Sequence, residues 1–530
     1  MNNRSHRSDE RAKLLTYLAR RISQLIVILL GSSFLVFNLE AIAGDPLEEL
    51  KTSSDPRKAQ MIIDLTRKLD LNTPPPIRYF KWIGGVFTGH WGVTRDGQSV
   101  VAEIGQAIPT TVRLVLAATI IAILVGIAIG VVTALRQYSR FDYAVTFVSF
   151  LFFSLPIFWV AVLLKQFFSI GFNDWLAEPQ VTTPWLIFFG LLAGVFWAGV
   201  IGGNLKKVLT IGAIAGGSTV TILWLLSATK WFANPTLGIV FVVGMGAGLA
   251  LLTTIASTGL SNKPARNTAA AMVVLGGVLY YPLQALFGFL KTNYNGWILV
   301  ALALGAILVG AATGAFFAKE DRRPVMRTGA IVAFLVGLLI LLDRVFQEWT
   351  PYVSSDFVSY RPIPTIGQSN DELITALDTE PNFWMGTLDS ILHLILPTIA
   401  LMLISFAGYV RYTRGNLLEV LNQDYIRTAR AKGLSERTVI MRHAFRNSLI
   451  PLTTLMAWDF AGILGGAIIT ESVFAWVGMG TLFRRAIVAF DLNLLMGVFL
   501  ITSTLAVLAN LVSDLLYSAL DPRIRVGNGN

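Results

Sequence analysis

The sequence predicts an all-α polytopic membrane protein. Of its 530 residues, 54% are hydrophobic and only 14% are charged, whereas soluble domains carry about 25% charged residues. Apolar runs of about 20 residues recur from Ile22 to Leu516, and each is long enough to cross a hydrocarbon core of about 30 Å as a helix. These runs do not alternate between apolar and polar residues, so they do not have the strand pattern of a membrane β-barrel.

Twelve segments are predicted to be membrane helices. The first of them, Ile22–Leu39 and the residues after it, is longer than the apolar core of about 7–15 residues in a signal peptide, so we expect an uncleaved helix. Small residues four positions apart also predict close contacts between helices, as in Gly126/Gly130, Gly244/Gly248 and Gly310/Gly314. The predicted spans are approximately 22–42, 110–134, 144–165, 184–203, 208–228, 236–257, 269–289, 297–318, 329–346, 391–410, 452–471 and 494–516.

Lys and Arg residues concentrate in alternate loops, which is typical of the cytoplasmic side of a membrane. The basic tail, residues 1–21, therefore predicts cytoplasmic N- and C-termini. Two long segments, 44–109 and 347–390, fall outside, and the second contains seven acidic residues but one basic residue. The loop 411–451 is the only sizeable cytoplasmic element. Arg484 and Arg485 are an exception, because the same alternation places them outside.

Several functional classes are excluded by the sequence. It contains no cysteine and four histidines without metal-ligand spacing, so no metal site is expected. It contains no Gly-Lys dipeptide, so it cannot form the common phosphate-binding loop, and any nucleotide would be hydrolysed by another chain. No common hydrolase motif is present, and no catalytic residue is assigned. The net charge of +10 follows from the basic loops, so no nucleic acid partner is expected.

The most informative segment is the basic part of the cytoplasmic loop, residues 425–451. Tyr425–Lys432 favours a helix, and Gly433 can end it because glycine adopts a left-handed cap without steric penalty. Ser435 can cap a second helix that runs to about Ser448. Two short helices joined at a glycine form a knob that suits a groove on a partner protein.

A second interpretation of the same segment needs no partner. Its basic residues also satisfy the preference for positive charge on the cytoplasmic side, with long side chains lying along the membrane surface. Arg442 and Arg446 are four residues apart and would share one helix face. Pro451 then begins the next predicted membrane helix. Composition alone leaves both interpretations open.

The motif at this segment, D-Y-I-R-T-A-R-A-K-G-L-S followed by R-H-A-F-R-N-S-L-I-P, resembles the coupling loop of ABC importer permeases. The resemblance is to the dipeptide, oligopeptide and nickel permeases, and it covers about 1–170 and 385–525. Further matching motifs are L-D-L-N-T-P at 69–74, S-L-P-I-F-W at 154–159, G-G-A-I-I-T-E-S-V-F at 465–474, N-L-V-S-D-L-L-Y at 510–517 and D-P-R-I-R at 521–525. One departure is His90, which stands where this family usually has an acidic residue.

The resemblance implies a type I ABC importer permease core of six helices. The core would comprise residues 22–170 and 385–525, interrupted by a block of about six further transmembrane helices at 171–384. It also implies a multi-pass protein of the cell membrane that assembles with a second, homologous permease, two cytoplasmic ABC ATPases and an extracytoplasmic substrate-binding protein. ATP and Mg²⁺ would be bound by the ATPases, and this chain would bind no cofactor.

The resemblance also implies which residues contact the partners. Glu471 and Asp514 match family positions and are expected to act at a gate or a subunit contact, whereas Asp459 is left unassigned. Arg427 stands where the general coupling motif has Glu, as is typical of this subfamily. The expected ATPase-coupling residues are Tyr425, Arg427, Thr428, Ala429, Arg430, Ala431, Lys432, Gly433, Leu434, Ser435, Arg442, His443, Arg446 and Asn447.

The inserted block contains few clues to function. Its six spans carry no charged residue before Asp343 and Arg344 at the end of the last one, whereas ionisable residues usually mark the ion path of a transporter. The sequence therefore favours a packing or partner-binding module. A secondary transporter and a membrane scaffold without ATPase partners are the competing hypotheses for the whole chain, and the substrate is left open among peptides, nickel and other small solutes.

Overall fold

The computed structural model describes residues 23–24, 26–318, 322–465 and 467–520. Within this part, the chain divides into two compact units. The first contains the described residues up to Lys165 and from Ile395 onward, and the second is Gln166–Leu394. The second unit therefore includes all described residues of the block that the sequence marks as an insertion, 171–384.

The described part of the chain is almost entirely helical. The first unit begins with α1 (Ile26–Ala43), α2 (Glu48–Thr52), α3 (Lys58–Lys68), α4 (Pro75–Phe87), α5 (Val100–Leu135), α6 (Arg140–Ser154) and α7 (Ile157–Leu164). A π-helical turn, Lys165–Ile170, precedes α8 (Gly171–Ala177), α9 (Thr183–Ile201), α10 (Leu205–Ala228), α11 (Gly238–Ser257), α12 (Lys263–Phe289), α13 (Gly296–Phe317), α14 (Arg322–Phe346), α15 (Trp349–Val353) and α16 (Asp371–Thr379).

The C-terminal part contains α17 (Phe383–Leu421), α18 (Asp424–Ala431), α19 (Glu436–Thr438), a π-helical segment Val439–Ala444, α20 (Phe445–Gly465), α21 (Ile468–Val473), α22 (Met479–Val488) and α23 (Leu492–Leu520). Among the described residues, nine helices are long and apolar enough to cross a membrane, or ten if α6 and the helices after it form one broken span. This confirms the predicted all-α polytopic class.

The third predicted span, 144–165, is not one straight helix. It breaks at Leu155-Pro156, and the helical segments Arg140–Ser154 and Ile157–Ala177 meet at an angle of 103°. Leu155 is extended, with φ −79° and ψ 131°, because a residue before proline is disfavoured in the helical region. The apolar run continues through the break, so hydrophobicity alone indicated a single helix.

Three other predicted boundaries are wrong. Helix α5 begins at Val100 rather than near 110 and continues through Pro109. Helix α20 already includes Pro451, which was expected to begin the span. The predicted span 452–471 also covers two helices, since α20 ends at Gly465 and α21 begins at Ile468. Neighbouring helices can satisfy the backbone groups that an internal proline releases in a membrane protein.

In the first unit, α5 lies at the centre of the packing. Its first turns pack against α22 and α23 in a buried cluster that contains Ile104, Met479 and Leu494. Further along, a Cβ on Gly126 would lie 2.5 Å from the Cβ of Tyr409, so α5 and α17 are in backbone contact there. The predicted close packing at Gly126/Gly130 is confirmed.

The second unit also contains close glycine contacts. A Cβ on Gly194 of α9 would lie 2.8 Å from the carbonyl oxygen of Gly212 on α10, and a Cβ on Gly310 of α13 would lie 2.2 Å from that of Gly329 on α14. The prediction is therefore confirmed for Gly310/Gly314 but is wrong for Gly244/Gly248, since a Cβ on either would meet nothing within 4 Å.

Candidate functional site

The segment Asp424–Asn447, here called the basic segment, has the two-helix form that the sequence predicts. Helix α18 ends at Ala431, and Gly433 adopts φ 75°, a left-handed conformation that favours glycine. The N–H of Gly433 donates to the carbonyl of Arg430 at 2.9 Å. Ser435 then caps the next helix, because its hydroxyl accepts from the Thr438 N–H at 3.4 Å.

The second helix of the basic segment differs from the prediction. Only Glu436–Thr438 is α-helical before the chain widens into the π-helical segment Val439–Ala444, and α20 follows without a break. π-helical turns are rare and frequent at functional sites. The regular four-residue spacing that would place Arg442 and Arg446 on one α-helical face is therefore interrupted.

Apolar side chains anchor the basic segment to two long helices. Ile426, Ala429, Val439 and Ala444 are buried and form a cluster with residues at the ends of α5 and α17, among them Leu417. Burying an isoleucine side chain stabilises a protein by about 1.5–3 kcal/mol. The segment is therefore held as a folded knob rather than as a loose loop.

Polar contacts connect the two halves of the basic segment. The guanidinium of Arg430 donates to both carboxylate oxygens of Glu436, at 3.2 and 2.7 Å, across the turn at Gly433. This pair lowers the pKa of Glu436, because the guanidinium hydrogen bonds favour the charged carboxylate. The Asn447 amide also donates to the Tyr425 hydroxyl at 2.9 Å.

The solvent-exposed part of the basic segment combines apolar and cationic side chains. Tyr425, Leu434 and Met441 are 42%, 41% and 46% exposed. Of the fourteen residues that the sequence assigns to coupling, Ala429 is buried and His443 is half-buried. The other twelve are exposed: Tyr425, Arg427, Thr428, Arg430, Ala431, Lys432, Gly433, Leu434, Ser435, Arg442, Arg446 and Asn447.

Glu471 lies on the short helix α21 and is fully buried. Its Oε1 accepts from the Thr111 hydroxyl on α5 at 2.7 Å, and its Oε2 accepts from the Thr481 N–H on α22 at 2.8 Å. A Cβ on Gly478 would lie 2.5 Å from Oε1, so the chain approaches this carboxylate closely. One buried carboxylate thus connects three helices of the first unit.

Two further polar pairs connect helices of the first unit. Asp142 is buried and accepts two hydrogen bonds from the Arg414 guanidinium, at 2.7 and 2.8 Å. The Tyr409 hydroxyl donates to Asp459 at 2.6 Å, which gives the unassigned Asp459 a partner. Sequence reasoning missed both partnerships, although Arg414 lies in the same cytoplasmic loop, 411–451, as the basic segment.

Two further candidate residues, Asp514 and His90, add no contact to these sites among the described side chains. Asp514 lies in α23, and its side chain falls outside the part of the chain that the structure describes. His90 is exposed, and its Nδ1 lies 3.2 Å from the Thr88 hydroxyl. Across the described residues, no group of three or more His, Asp or Glu side chains could hold a metal ion.

Comparison with known proteins gives a family match over the C-terminal part of the chain. Residues 323–526 match the family described as binding-protein-dependent transport system inner membrane component. The matched region contains the whole basic segment and Glu471. It begins at residue 323, within the block that the sequence marks as inserted.

Individual relatives extend the similarity over nearly the whole chain. The oligopeptide transport system permease protein OppB of Mycobacterium tuberculosis is 26% identical over 511 residues, which cover 96% of this chain and 99% of the relative. The oligopeptide transport system permease protein AppB of Bacillus subtilis is 25% identical over 512 residues, which cover 96% and 98%.

Similarity is greater over a shorter region. The dipeptide transport system permease protein DppB of Escherichia coli is 45% identical over 138 residues, which cover 26% of this chain and 41% of the relative. The same alignment covers a larger share of the relative, so this relative is the shorter protein. Residues 323–526 therefore carry the domain of inner-membrane components of binding-protein-dependent transport systems, and nearly the whole chain is similar to peptide transport permeases.

Proposed function

We propose that this chain is the permease subunit of an ATP-driven ABC importer that carries peptides from an outside binding protein into the cytoplasm by alternating access. The family match and the names of the oligopeptide and dipeptide relatives support the reaction class and the substrate class. The single observation that carries the proposal is the folded, anchored basic segment with an exposed apolar and cationic surface.

The basic segment is the proposed docking site for an ATPase. With cytoplasmic termini, as the basic residues imply, this segment lies on the cytoplasmic side. Leu434 and Met441 would enter a groove of the ATPase, and the basic side chains around them would orient it. ATP and Mg²⁺ would be held by that partner, since this chain has no phosphate-binding loop.

Movement of the docked ATPase would reach the membrane through the anchor of the basic segment. Ile426 and Val439 pack with residues at the ends of α5 and α17, such as Leu417. A displacement of the basic segment would therefore move both helices rather than a flexible linker. Because the coupling between the two membrane faces is reciprocal, binding of a loaded binding protein outside would favour the ATPase conformation that closes around ATP.

The Glu471 contact is proposed to act as a gate. Its carboxylate holds α5, α21 and α22 together through Thr111 and Thr481, and such a hydrogen-bonded connection can open and re-form as helices rock. Glu471 and Asp514 would act at this gate or contact the second permease when the path opens. The second, homologous permease and two ATPases complete the proposed assembly.

Copurification from native membranes tests the proposal. The tagged full-length chain is purified in mild detergent, and its companions are identified by mass spectrometry. We expect an ATPase with a phosphate-binding loop and a second permease. Leu434→Asp should lose the ATPase but keep the second permease, whereas Ile77→Asp, at a similarly exposed position on α4, should keep both.

The same experiment can reject the proposal. Recovery of the chain alone, from membranes in which such partners are expressed, would favour a secondary transporter or a scaffold. Retention of the ATPase by Leu434→Asp would indicate that the docking site lies outside the basic segment.

A further inference from the structure

The second unit contains a cavity of about 320 Å³ between α12, α13 and α14. Its described lining consists of aliphatic and aromatic residues, alanine and glycine, without one polar or charged side chain. Water needs two to four polar partners in such a space, so this cavity excludes water. An empty apolar cavity destabilises a protein in proportion to its volume, which points to an apolar occupant.

The cavity exists because two helices separate locally. A Cβ on Gly305 of α13 would meet nothing within 4 Å, and a Cβ on Gly337 of α14 would meet only Ala306, at 4.0 Å. Further along the same two helices, Gly310 and Gly329 are in backbone contact. Helices α13 and α14 therefore touch at one level and leave a space at the next.

The cavity continues into the outer surface of the helices. Four large apolar residues that line it are more than a third exposed: Leu279 at 40%, Val309 at 46%, Phe334 at 39% and Leu338 at 38%. Helices α12, α13 and α14 are each long and apolar enough to span a membrane. Their exposed apolar surface faces the hydrocarbon of the bilayer, so the cavity opens toward lipid.

Polar groups next to one end of the cavity are engaged with one another. The Gln284 amide donates to the carbonyl of Ile340, which lines the cavity, at 3.2 Å and to Asp343 at 3.1 Å. Asp343 is fully buried and also accepts from the Tyr280 hydroxyl. A ligand in the cavity would therefore meet apolar walls, and no lining side chain could bind a charged group.

We propose that this cavity binds one acyl chain of a membrane lipid. The apolar lining and the exposed rim residues Leu279, Val309 and Phe334 fit a flexible hydrocarbon chain that enters from the surrounding lipid. The inserted block would thus carry a lipid site of its own, and this site does not depend on the proposed transport function.

Photocrosslinking tests the proposal on the full-length protein. The protein is reconstituted in vesicles of phosphatidylethanolamine and phosphatidylglycerol that include a phosphatidylethanolamine with a diazirine in the middle of one acyl chain. Mass spectrometry then maps the adducts. Lining residues such as Met272 and Leu302 should be labelled roughly tenfold more than Leu252 and Ile255 on the exposed surface of α11, a preference of about 1.4 kcal/mol.

A matched pair of substitutions identifies the site. Gly305→Leu fills the cavity and should reduce labelling of its lining to the level of the exposed surface. Gly248→Leu is the control, because a Cβ on Gly248 also meets nothing within 4 Å but this residue lies outside the cavity. Gly337→Leu fills the same space from α14 and replaces Gly305→Leu if that variant does not fold.

Either of two results would overturn the proposal. One is equal labelling of lining and surface residues in the wild-type protein, which needs no variant. The other is undiminished labelling of the lining in a folded variant whose cavity is filled.

Discussion

Both units of this protein connect helices through buried carboxylates and through close glycine contacts, but they place these contacts differently. In the first unit, buried carboxylates connect separate helices, as Glu471 does through Thr111 and Asp142 does through Arg414. In the second unit, α9–α10 and α13–α14 touch through glycines such as Gly194 and Gly310. A hydrogen bond between helices can open and re-form at a defined cost, whereas close backbone packing favours one arrangement. Within the first unit, movement is therefore expected at these hydrogen-bonded connections.

The second unit also contains buried polar groups, and they lie close together. Asp343 accepts from the N–H groups of Leu237 and Gly238 and from three side chains, and the nearby Glu348 pairs with Arg344 at 2.8 Å. These groups lie at one end of the spans and fix α11, α12 and α14 to each other. We interpret these interhelical connections as a structural clasp, because one carboxylate accepts from five donors.

The largest difference is expected from replacing one glycine in each unit by proline. Gly433 and Gly238 both adopt positive φ, 75° and 67°, and both N–H groups donate hydrogen bonds. Proline fixes φ near −65° and lacks the N–H. Gly433→Pro should insert in the membrane yet lose peptide uptake completely, whereas Gly238→Pro should lower thermal stability and retain uptake per folded molecule.

Uptake into proteoliposomes, normalised to folded protein, separates these outcomes. Normal uptake by Gly433→Pro would count against the coupling role of the basic segment.

A second comparison concerns the two fully buried acids. Glu471→Gln replaces one carboxylate oxygen, which accepts from Thr481 or Thr111, by an amide NH₂ that can only donate. Asp343→Asn likewise replaces one accepting oxygen by an NH₂ that faces a donor. An unsatisfied buried donor costs about 1–3 kcal/mol, so both variants should unfold at lower temperature. Only Glu471→Gln should also change uptake per folded molecule.

Thermal unfolding and uptake are measured on the same preparations for this pair. Equal losses of uptake in both variants would remove the distinction between a gate and a clasp.

A smaller effect is expected where glycines allow close helix contact. A Cβ on Gly130 of α5 would lie 2.9 Å from the Val410 carbonyl, and one on Gly194 would lie 2.8 Å from that of Gly212. Overpacking costs about 1–3 kcal/mol, so both alanine variants should lose similar stability. Uptake should fall in Gly130→Ala only. A variant at Gly217, where a Cβ meets nothing within 4 Å, provides the unstrained control.

The smallest expected effect is a pH dependence of the local stability of the basic segment. Arg430 lowers the pKa of Glu436 below its usual value of 4.5. A depressed carboxyl pKa contributes stability that is present above the unfolded pKa and is lost as pH falls through the folded pKa. Because the pair is exposed, the contribution is small.

Hydrogen-exchange protection factors of residues 424–438, which compare each rate with the intrinsic rate at the same pH, should therefore be unchanged between pH 8 and 5, about the range above both pKa values, and should fall slightly below it. Glu436→Gln should abolish this fall, and an identical profile in the variant would contradict the assignment.

Local signals in the sequence predicted some parts of the structure well. The apolar runs gave the helices, Gly433 the left-handed turn and Ser435 the cap, because each depends on neighbouring residues. Partners distant in sequence were not predictable: Thr111 lies 360 residues from Glu471, and no pattern in either segment indicates the other.

Proline shows why the boundaries were harder to predict. Pro156 follows a sharp break between helices, whereas Pro451 lies inside α20. Both stand in apolar surroundings, and what differs is the packing that satisfies or replaces the backbone hydrogen bonds. That packing comes from other helices, so a local reading of the sequence treats the two prolines alike.

The break at Leu155-Pro156 also limits what can surround this part of the chain. The last turn of a helix leaves carbonyl groups without partners in the helix, and α6 ends at Ser154. Hydrocarbon cannot satisfy them. Ser154 already donates its hydroxyl to the Phe150 carbonyl at 2.8 Å, which meets part of this demand. If the break lies at the depth of the hydrocarbon, it therefore has to face protein or a water-filled cavity rather than lipid.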